Sequence, residues 1–377
     1  MENVLLLFLL QISFSVYSQN NEKQWNKIYE TEAKGNVKEA YEAVLKIEEK
    51  AQKKENEQEL IKVFLFKAKY ENVLFDKCHS DFFTEINTQI ENANGNSVYF
   101  YNYIKAAYLA AYFNKYQSDI QRRGDSKNAK NLSNFAEWNQ RDFINAITSL
   151  YNQTFSDSDK LQAIPLSDYK EVVEGFGNVN QEYLYEFLLE RWMLLPIAQL
   201  YVSAEPSSRE FYADYKDSFL TQDLSKNFDV RLTAYQMLEN FYRQKQNIYD
   251  YERVKFMRYQ QNFLLNDLKF LDVLIATTST NEFKNKYRLE KLSYLVGEVN
   301  AKENKSYLKE AILLIDTLKT QEISTADLNQ ILNLEKSIKQ QRLIVYNEPI
   351  LYNNQHNKIL VDFKNIDTLY NFIEFII

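Results

Sequence analysis

Gly35-Asn-Val37-Lys-Glu-Ala40-Tyr41-Glu-Ala-Val44-Leu-Lys-Ile47-Glu-Glu-Lys-Ala51 sets the reading of the whole chain. Val37, Ala40, Tyr41, Val44, Ile47 and Ala51 recur every three or four residues, which draws one apolar stripe down an amphipathic α-helix. Before it, Trp25, Ile28 and Tyr29 share a helical face. Gly35 takes the left-handed conformation that ends a helix, so Gly35-Asn36 reads as a tight corner between two helices. Helix, corner, helix is a hairpin, and the same pattern continues through the chain.

Ile61, Phe64, Leu65 and Ala68 form the next stripe, and Phe82, Phe83, Ile86 and Ile90 another, with Ser80 placed to cap it. Residues 98–113, Val-Tyr-Phe-Tyr-Asn-Tyr-Ile-Lys-Ala-Ala-Tyr-Leu-Ala-Ala-Tyr-Phe, are apolar almost all round. Such a helix is buried on most sides. Polar stretches around 115–134, 154–162 and 174–181 read as corners. Trp138, Phe143, Ile144, Ile147, Leu150 and Tyr151 resume the pattern, and Leu184, Phe187, Leu188 and Trp192 begin a helix that Pro196 ends or kinks. Helices are expected at about 228–245, 249–276, 283–299, 305–319 and 325–340. Ser324-x-x-Asp327 reads as a capping box for the last.

Two hairpins resemble each other. Gly35-Asn-Val-Lys-Glu-Ala40 with Val44 and Ile47 is matched by Tyr307-Leu-Lys-Glu-Ala311 with Ile315 and Leu318. Each puts a small Ala on the inner face of a second helix, a spacing similar to tetratricopeptide repeats. No strict period runs through the middle. The fold class expected is therefore mainly α, a degenerate tetratricopeptide-like array of helical hairpins over 19–340.

Composition agrees. Among 377 residues there are 6 Gly and 4 Pro, too few for a turn-rich sheet protein. Twenty-eight Tyr and 25 Phe supply an aromatic core. The net charge of -7 lacks the basic stripe of a nucleic-acid binder. Arg122-Arg123, followed by Asp125, reads as a solvated turn.

The N-terminus carries an export pattern. Residues 4–14 are apolar, then Ser15-Val16-Tyr17-Ser18 precedes the polar Gln19-Asn20-Asn21. The run is too short to span a bilayer but fits the core of a signal peptide, with Val16 and Ser18 small enough for signal peptidase. Met1-Glu2-Asn3 lacks the usual positive charge, so a buried N-terminal helix or a misplaced start codon is the competing reading. No Cys follows the run, which excludes a lipoprotein signal. Residues 1–18 are thus expected to be removed, leaving a mature chain without a transmembrane helix in the periplasm or on the cell surface.

After about 341 the pattern changes. Leu343-Ile-Val-Tyr346, Lys358-Ile-Leu-Val-Asp-Phe363 and Leu369-Tyr-Asn-Phe-Ile-Glu-Phe-Ile-Ile377 read as strands, with Asn365-Ile-Asp367 a turn between the last two. A β-sandwich takes about 100 residues, so 341–377 is expected to be an incomplete β segment.

Reactive constellations are sparse. Cys78 is the only cysteine, and His79 and His356 the only histidines. Cys78-His79-Ser80-Asp81 lacks the base and orienting group that nucleophilic catalysis needs, and three metal ligands do not converge. Glu171 and Glu174 lie one helical turn apart, as in a glycosidase pair, but read better as a solvated face. Gly175-Phe-Gly177 lacks the third Gly or Lys-Ser/Thr of a phosphate loop. The aromatic stripes, at helical spacing, read as core. No catalytic, cofactor or metal residue is assigned, and no enzyme is expected.

The order of parts resembles the N-terminal portion of large alpha-2-macroglobulin-like proteins of the Gram-negative envelope, in which a helical region precedes macroglobulin β-sandwiches. Lys358-Ile-Leu-Val-Asp-Phe-Lys-Asn-Ile-Asp-Thr-Leu-Tyr370 and Leu184-Tyr185-Glu-Phe-Leu188 are similar to phrases of that family. The resemblance implies membership of a protease-inhibitor family, with the chain cut short in its first macroglobulin domain. It implies no inhibitory activity for these residues, because the bait segment and the Cys-x-x-Gln thioester are missing. Cys78-His-Ser-Asp81 does not match the latter. The function expected is a non-catalytic scaffold that meets protein or peptide partners. The alternative is a freestanding periplasmic repeat protein that binds peptide or glycan. A helical enzyme is the third and weakest reading.

Overall fold

Trp25 and Ile28 on α1 (Glu22–Ala33), Ala40, Val44 and Ile47 on α2 (Val37–Lys53), and Val63, Phe66 and Tyr70 on α3 (Glu57–Phe75) close one apolar cluster. This computed structural model describes residues 22–75, 79–93, 95–124, 135–173, 181–197, 213–214, 217–224, 229–261, 264–302, 305–347, 359–366 and 368. Gly35 turns the chain at φ +81°, a left-handed value that costs glycine little. α1 and α3 run parallel. Trp25 Nε1 donates to Glu59 Oε1 at 2.6 Å and Tyr70 Oη donates to Glu32 Oε2 at 2.8 Å, across 34 and 38 residues. That offset is close to the helix-turn-helix period of about 34 residues.

The chain continues through α4 (His79–Glu91), α5 (Ser97–Lys115), α6 (Gln117–Gln121), α7 (Gln140–Thr154), α8 (Ser158–Ala163), α9 (Lys170–Val173), α10 (Leu184–Met193) and α11 (Val230–Gln244). α5 is the central helix, packed by α3, α4, α7 and α10. Its small residues Ala106, Ala107 and Ala110 are buried beside Tyr108 and Phe113. α10 stops at Met193, ahead of Pro196, as expected. Three local expectations are corrected. Ser80 lies inside the first turn of α4, where its carbonyl accepts from Thr84 Oγ1, and is not ahead of the helix. The corners expected around 115–134 and 154–162 contain the short helices α6 and α8. Asp157 caps α8 by accepting from Lys160 N.

Contacts divide the chain into two units, Met1–Asn247 and Ile248–Ile377. The second contains α12 (Ile248–Gln261), α13 (Leu268–Thr277), α14 (Asn281–Lys302), α15 (Lys305–Lys319) and α16 (Thr325–Lys339). The single helix expected at 249–276 is broken. Asp267 accepts from Lys269 N at 2.9 Å and Phe270 N at 3.3 Å, so its carboxylate starts a new helix.

Within this unit the repeat is plain. Gln260 of α12 donates to Glu290 of α14, 30 residues on, and Tyr249 of α12 donates to Glu282, 33 residues on. Gln330 and Ser293, and Asn300 and Ser337, join α14 to α16 at a constant 37 residues. A near-constant offset means parallel neighbours, so α12, α14 and α16 stand side by side. α13 and α15 provide the intervening antiparallel helices. Lys291 of α14 ties both of these, with Nζ 2.5 Å from Asp272 of α13 and 2.6 Å from Glu310 of α15. Leu292, Leu295 and Val296 pack against Ala311, Ile315, Leu318, Ile331 and Ile338. The equivalents of Leu292, Val296 and Val299 on α16 are the exposed Asn329, Asn333 and Lys336. Leu328 and Leu332 are exposed on the same helix, and Leu332 is the equivalent of the buried Leu295.

β1 (Arg342–Asn347) pairs antiparallel with β2 (Ile359–Lys364) in the register Arg342↔Lys364 to Asn347↔Ile359. Both match strands expected from the sequence. The third, 369–377, lies outside the described residues. Asn365, at φ 54°, donates from Nδ2 to Ile338 O at 2.6 Å and Gln340 O at 3.1 Å. It thereby satisfies carbonyls left over at the C-terminus of α16.

Candidate functional site

The residues the sequence singled out take structural places where they are described. His79 Nδ1 lies 2.6 Å from Tyr108 Oη and Nε2 3.5 Å from Tyr116 Oη, while its ring meets Tyr112 edge-on at 5.0 Å. Burial, with Lys115 adding repulsion, lowers its pKa below the ordinary histidine value. A neutral imidazole wrapped by three tyrosines is a packed polar contact. Arg123 Nη1 donates to the carbonyls of Ala136 at 2.5 Å and Trp138 at 2.9 Å, and the exposed Arg122 faces Asp119 at 4.0 Å. Cys78, Glu174, Gly175, Gly177 and His356 lie outside the described residues, as do Asp125 and the export segment 1–18. Glu171 belongs to α9, but its side chain is also outside them. Among the described residues no group of three His, Cys, Asp or Glu is placed to hold a metal, and no helix is long and apolar enough to cross a membrane. The large aromatics Trp25, Tyr108, Phe113, Phe143 and Trp192 are buried, which makes them core.

Among the described residues the chain forms a shallow cleft, lined by Asn145, Ser149 and Asn152 of α7, and a larger, more enclosed polar one in the second unit. The constant offset between α14 and α16 leaves residues 281–287 of α14 projecting past the start of α16. This ledge and the corner at 321–324 enclose about 680 Å³, within the ordinary range of ligand sites. The α14 wall offers the amides of Asn281 and Asn285 and the Glu282–Lys286 ion pair, closed at 3.2 Å. The opposite wall offers Gln321, Glu322, Ser324 and Asp327.

Local sequence explains these positions. Ser324 Oγ accepts from Asp327 N at 3.1 Å, which is one half of the expected capping box. The reciprocal bond, in which Ser324 N–H would donate to the Asp327 carboxylate, is not made, so that carboxylate has no partner among the described residues. Glu322 precedes the cap and forms no ion pair among the described residues. Behind the ledge, Glu252 of α12 accepts from the backbone of Ser279, and burial pushes its carboxyl above the usual carboxylate range. That bond holds the segment leading into α14. Asn285 is 6 % exposed; its Oδ1 accepts from Arg288 Nη1 at 2.9 Å, and its Nδ2 has no partner among the described residues.

Ser324 and Asp327 are legible in the sequence as a cap but not as a cleft wall. Asn281, Asn285 and Glu322 gave no signal, because the register of α14 on α16 brings them together. The cleft's described lining consists of amides, the Ser324 hydroxyl, carboxylates, the Lys286 ammonium and the side chain of Ile323. Those groups can hold a polar chain by hydrogen bonds. No family model matches the chain, and no curated protein or solved structure is found to be similar to it.

Proposed function

We propose that this chain is an exported, non-catalytic helical scaffold of the Gram-negative envelope that engages protein or peptide partners. We further propose that it corresponds to the helical region in front of the macroglobulin domains of alpha-2-macroglobulin-like proteins. The observation that carries the scaffold reading is the side-by-side stack of α12, α14 and α16, with a polar cleft at the edge of α14 and α16. Stacked repeats build extended binding surfaces without catalytic parts. The family reading is supported by the similarity of Leu184-Tyr185-Glu-Phe-Leu188 and of residues 358–370 to family phrases, and by a helical array that leads into β1 and β2. The second reading is a freestanding repeat protein that binds peptide or glycan, for which the cleft's amides and carboxylates would supply the hydrogen bonds.

Cross-linking in intact cells, followed by mass spectrometry, tests the scaffold. Cross-links from lysines of α14 to α16, such as Lys286, Lys319 and Lys336, to a second envelope protein are expected. Recovery of the mature chain starting at Gln19 in the periplasmic fraction is expected alongside. A cytoplasmic chain retaining Met1, with no partner cross-linked, overturns this function.

A further inference from the structure

We infer that the cleft between the start of α14 and the start of α16 binds an extended peptide through a lysine or arginine side chain. The cation sits between Glu322 and Asp327, and a main-chain carbonyl accepts from Asn285 Nδ2. This rests on the scaffold reading and specifies its ligand.

Charge is the first ground. Glu282 is neutralised within the cleft by Lys286. Glu322 and Asp327 line the same space with no ionic partner among the described residues. An acidic residue in a first helical turn is ordinary, since it complements the helix dipole. That accounts for Asp327, but not for Glu322, which lies before the cap.

Asn285 is the second and independent ground. A side chain this buried normally satisfies its hydrogen bonds inside the protein. Asn285 accepts from Arg288 through its carbonyl oxygen, and its amide nitrogen, on a residue that lines the cleft, is open to solvent with no protein partner among the described residues. A donor and carboxylates lining one cleft ask for a ligand that carries both an acceptor and a cation. A peptide residue with a basic side chain supplies both, the carbonyl from its main chain and the charge from its tip. Phosphate and carboxylate ligands are disfavoured by the excess of carboxylates, and a neutral glycan would leave those carboxylates unused.

The test uses the whole mature chain and fluorescence anisotropy with three labelled, end-capped peptides of Gly and Ser. One carries lysines, one Nε-acetyl-lysines and one glutamates. The lysine peptide is expected to bind, more weakly as salt rises. Acetylation is expected to raise Kd at least tenfold, and the glutamate peptide to show no binding. Glu322→Gln with Asp327→Asn is expected to cost the lysine peptide at least tenfold. Both side chains are at the surface or partly so, and the Ser324 cap is retained, so this variant keeps its fold. Asn285→Ala, checked first for its circular dichroism, is expected to weaken the lysine and acetyl-lysine peptides by the same factor. Equal binding of those two peptides by the native chain overturns the inference, as does wild-type affinity in the Glu322/Asp327 variant or binding of none of the three. Partner cross-links in cells that map elsewhere on the helices would sink this cleft while leaving the scaffold in place.

Discussion

Lys291 is the point at which the second unit is most exposed to a single change, and the cost depends on which side of its ion pairs is removed. The lysine side chain is 11 % exposed, whereas Asp272 and Glu310 are 58 % and 40 % exposed. Lys291→Met keeps the apolar stem, loses two charge-assisted bonds and lets both carboxylates return to water. Such bonds are worth about 1.5–3 kcal/mol each when fully buried, but exposed acceptors recover much of that from solvent. We expect a net loss of about 1–2 kcal/mol. Asp272→Ala with Glu310→Ala does the reverse and strands an ammonium group in the interior. A fully buried uncompensated charge costs about 3–5 kcal/mol. Truncating two half-exposed partners lets some water reach the ammonium, so the loss expected is about 2–3 kcal/mol. The double carboxylate variant should therefore be the less stable, although it leaves the lysine untouched. Adding Lys291→Met to it should restore stability to near that of Lys291→Met alone. Urea unfolding at pH 7, followed by circular dichroism, ranks the variants, and hydrogen exchange in α13 to α15 localises the effect. A Lys291→Met variant that loses as much as the double variant would refute the reasoning. Burial lowers the Lys291 pKa, but the hydrogen bonds and charges of Asp272 and Glu310 outweigh it and leave the pKa raised. The clamp's contribution is thus present below the ordinary lysine value and is lost as pH rises through the higher folded one.

Three further outcomes are expected. His79 has a lowered folded pKa, so stability from this group is intact above the ordinary histidine value of about 6.5 and falls as pH drops below it; His79→Gln should flatten that part of the urea-midpoint profile, and an unchanged profile would contradict it. Ala311, fully buried between α14 and α15, should cost about 1–3 kcal/mol when replaced by Leu, through overpacking, read as a lower urea midpoint at constant slope. Asp267→Ala should cost about 1 kcal/mol by removing the cap of α13, seen as faster amide exchange at Lys269 and Phe270.

Much of the fold was legible in the residues. The stripe from Val37 to Ala51 puts Ala40, Val44, Ile47 and Ala51 in the interior. The all-round apolar run at 98–113 becomes the central helix α5, and Leu343–Tyr346 falls within β1. Less legible were the ends of helices where a carboxylate competes for backbone donors. Asp267 broke a run that looked continuous, and Asp157 began a helix in a stretch that looked like loop. Periodicity registers burial along a helix and is blind to one well-placed side-chain bond.

The sequence by itself determined the class of fold, the hairpin grammar of its ends and the near absence of reactive constellations. These depend on local spacing and composition. The tertiary structure alone decided the parallel register of α12, α14 and α16, the clamp from Lys291 to two helices, and the cleft. Each joins residues 19 or more positions apart. Their meeting depends on how helix faces interlock across the core, and no periodicity within a single helix encodes that interlocking. Glu322 and Asn285 are ordinary surface-type residues in the sequence. They acquire a shared role only because α14 overhangs its neighbour.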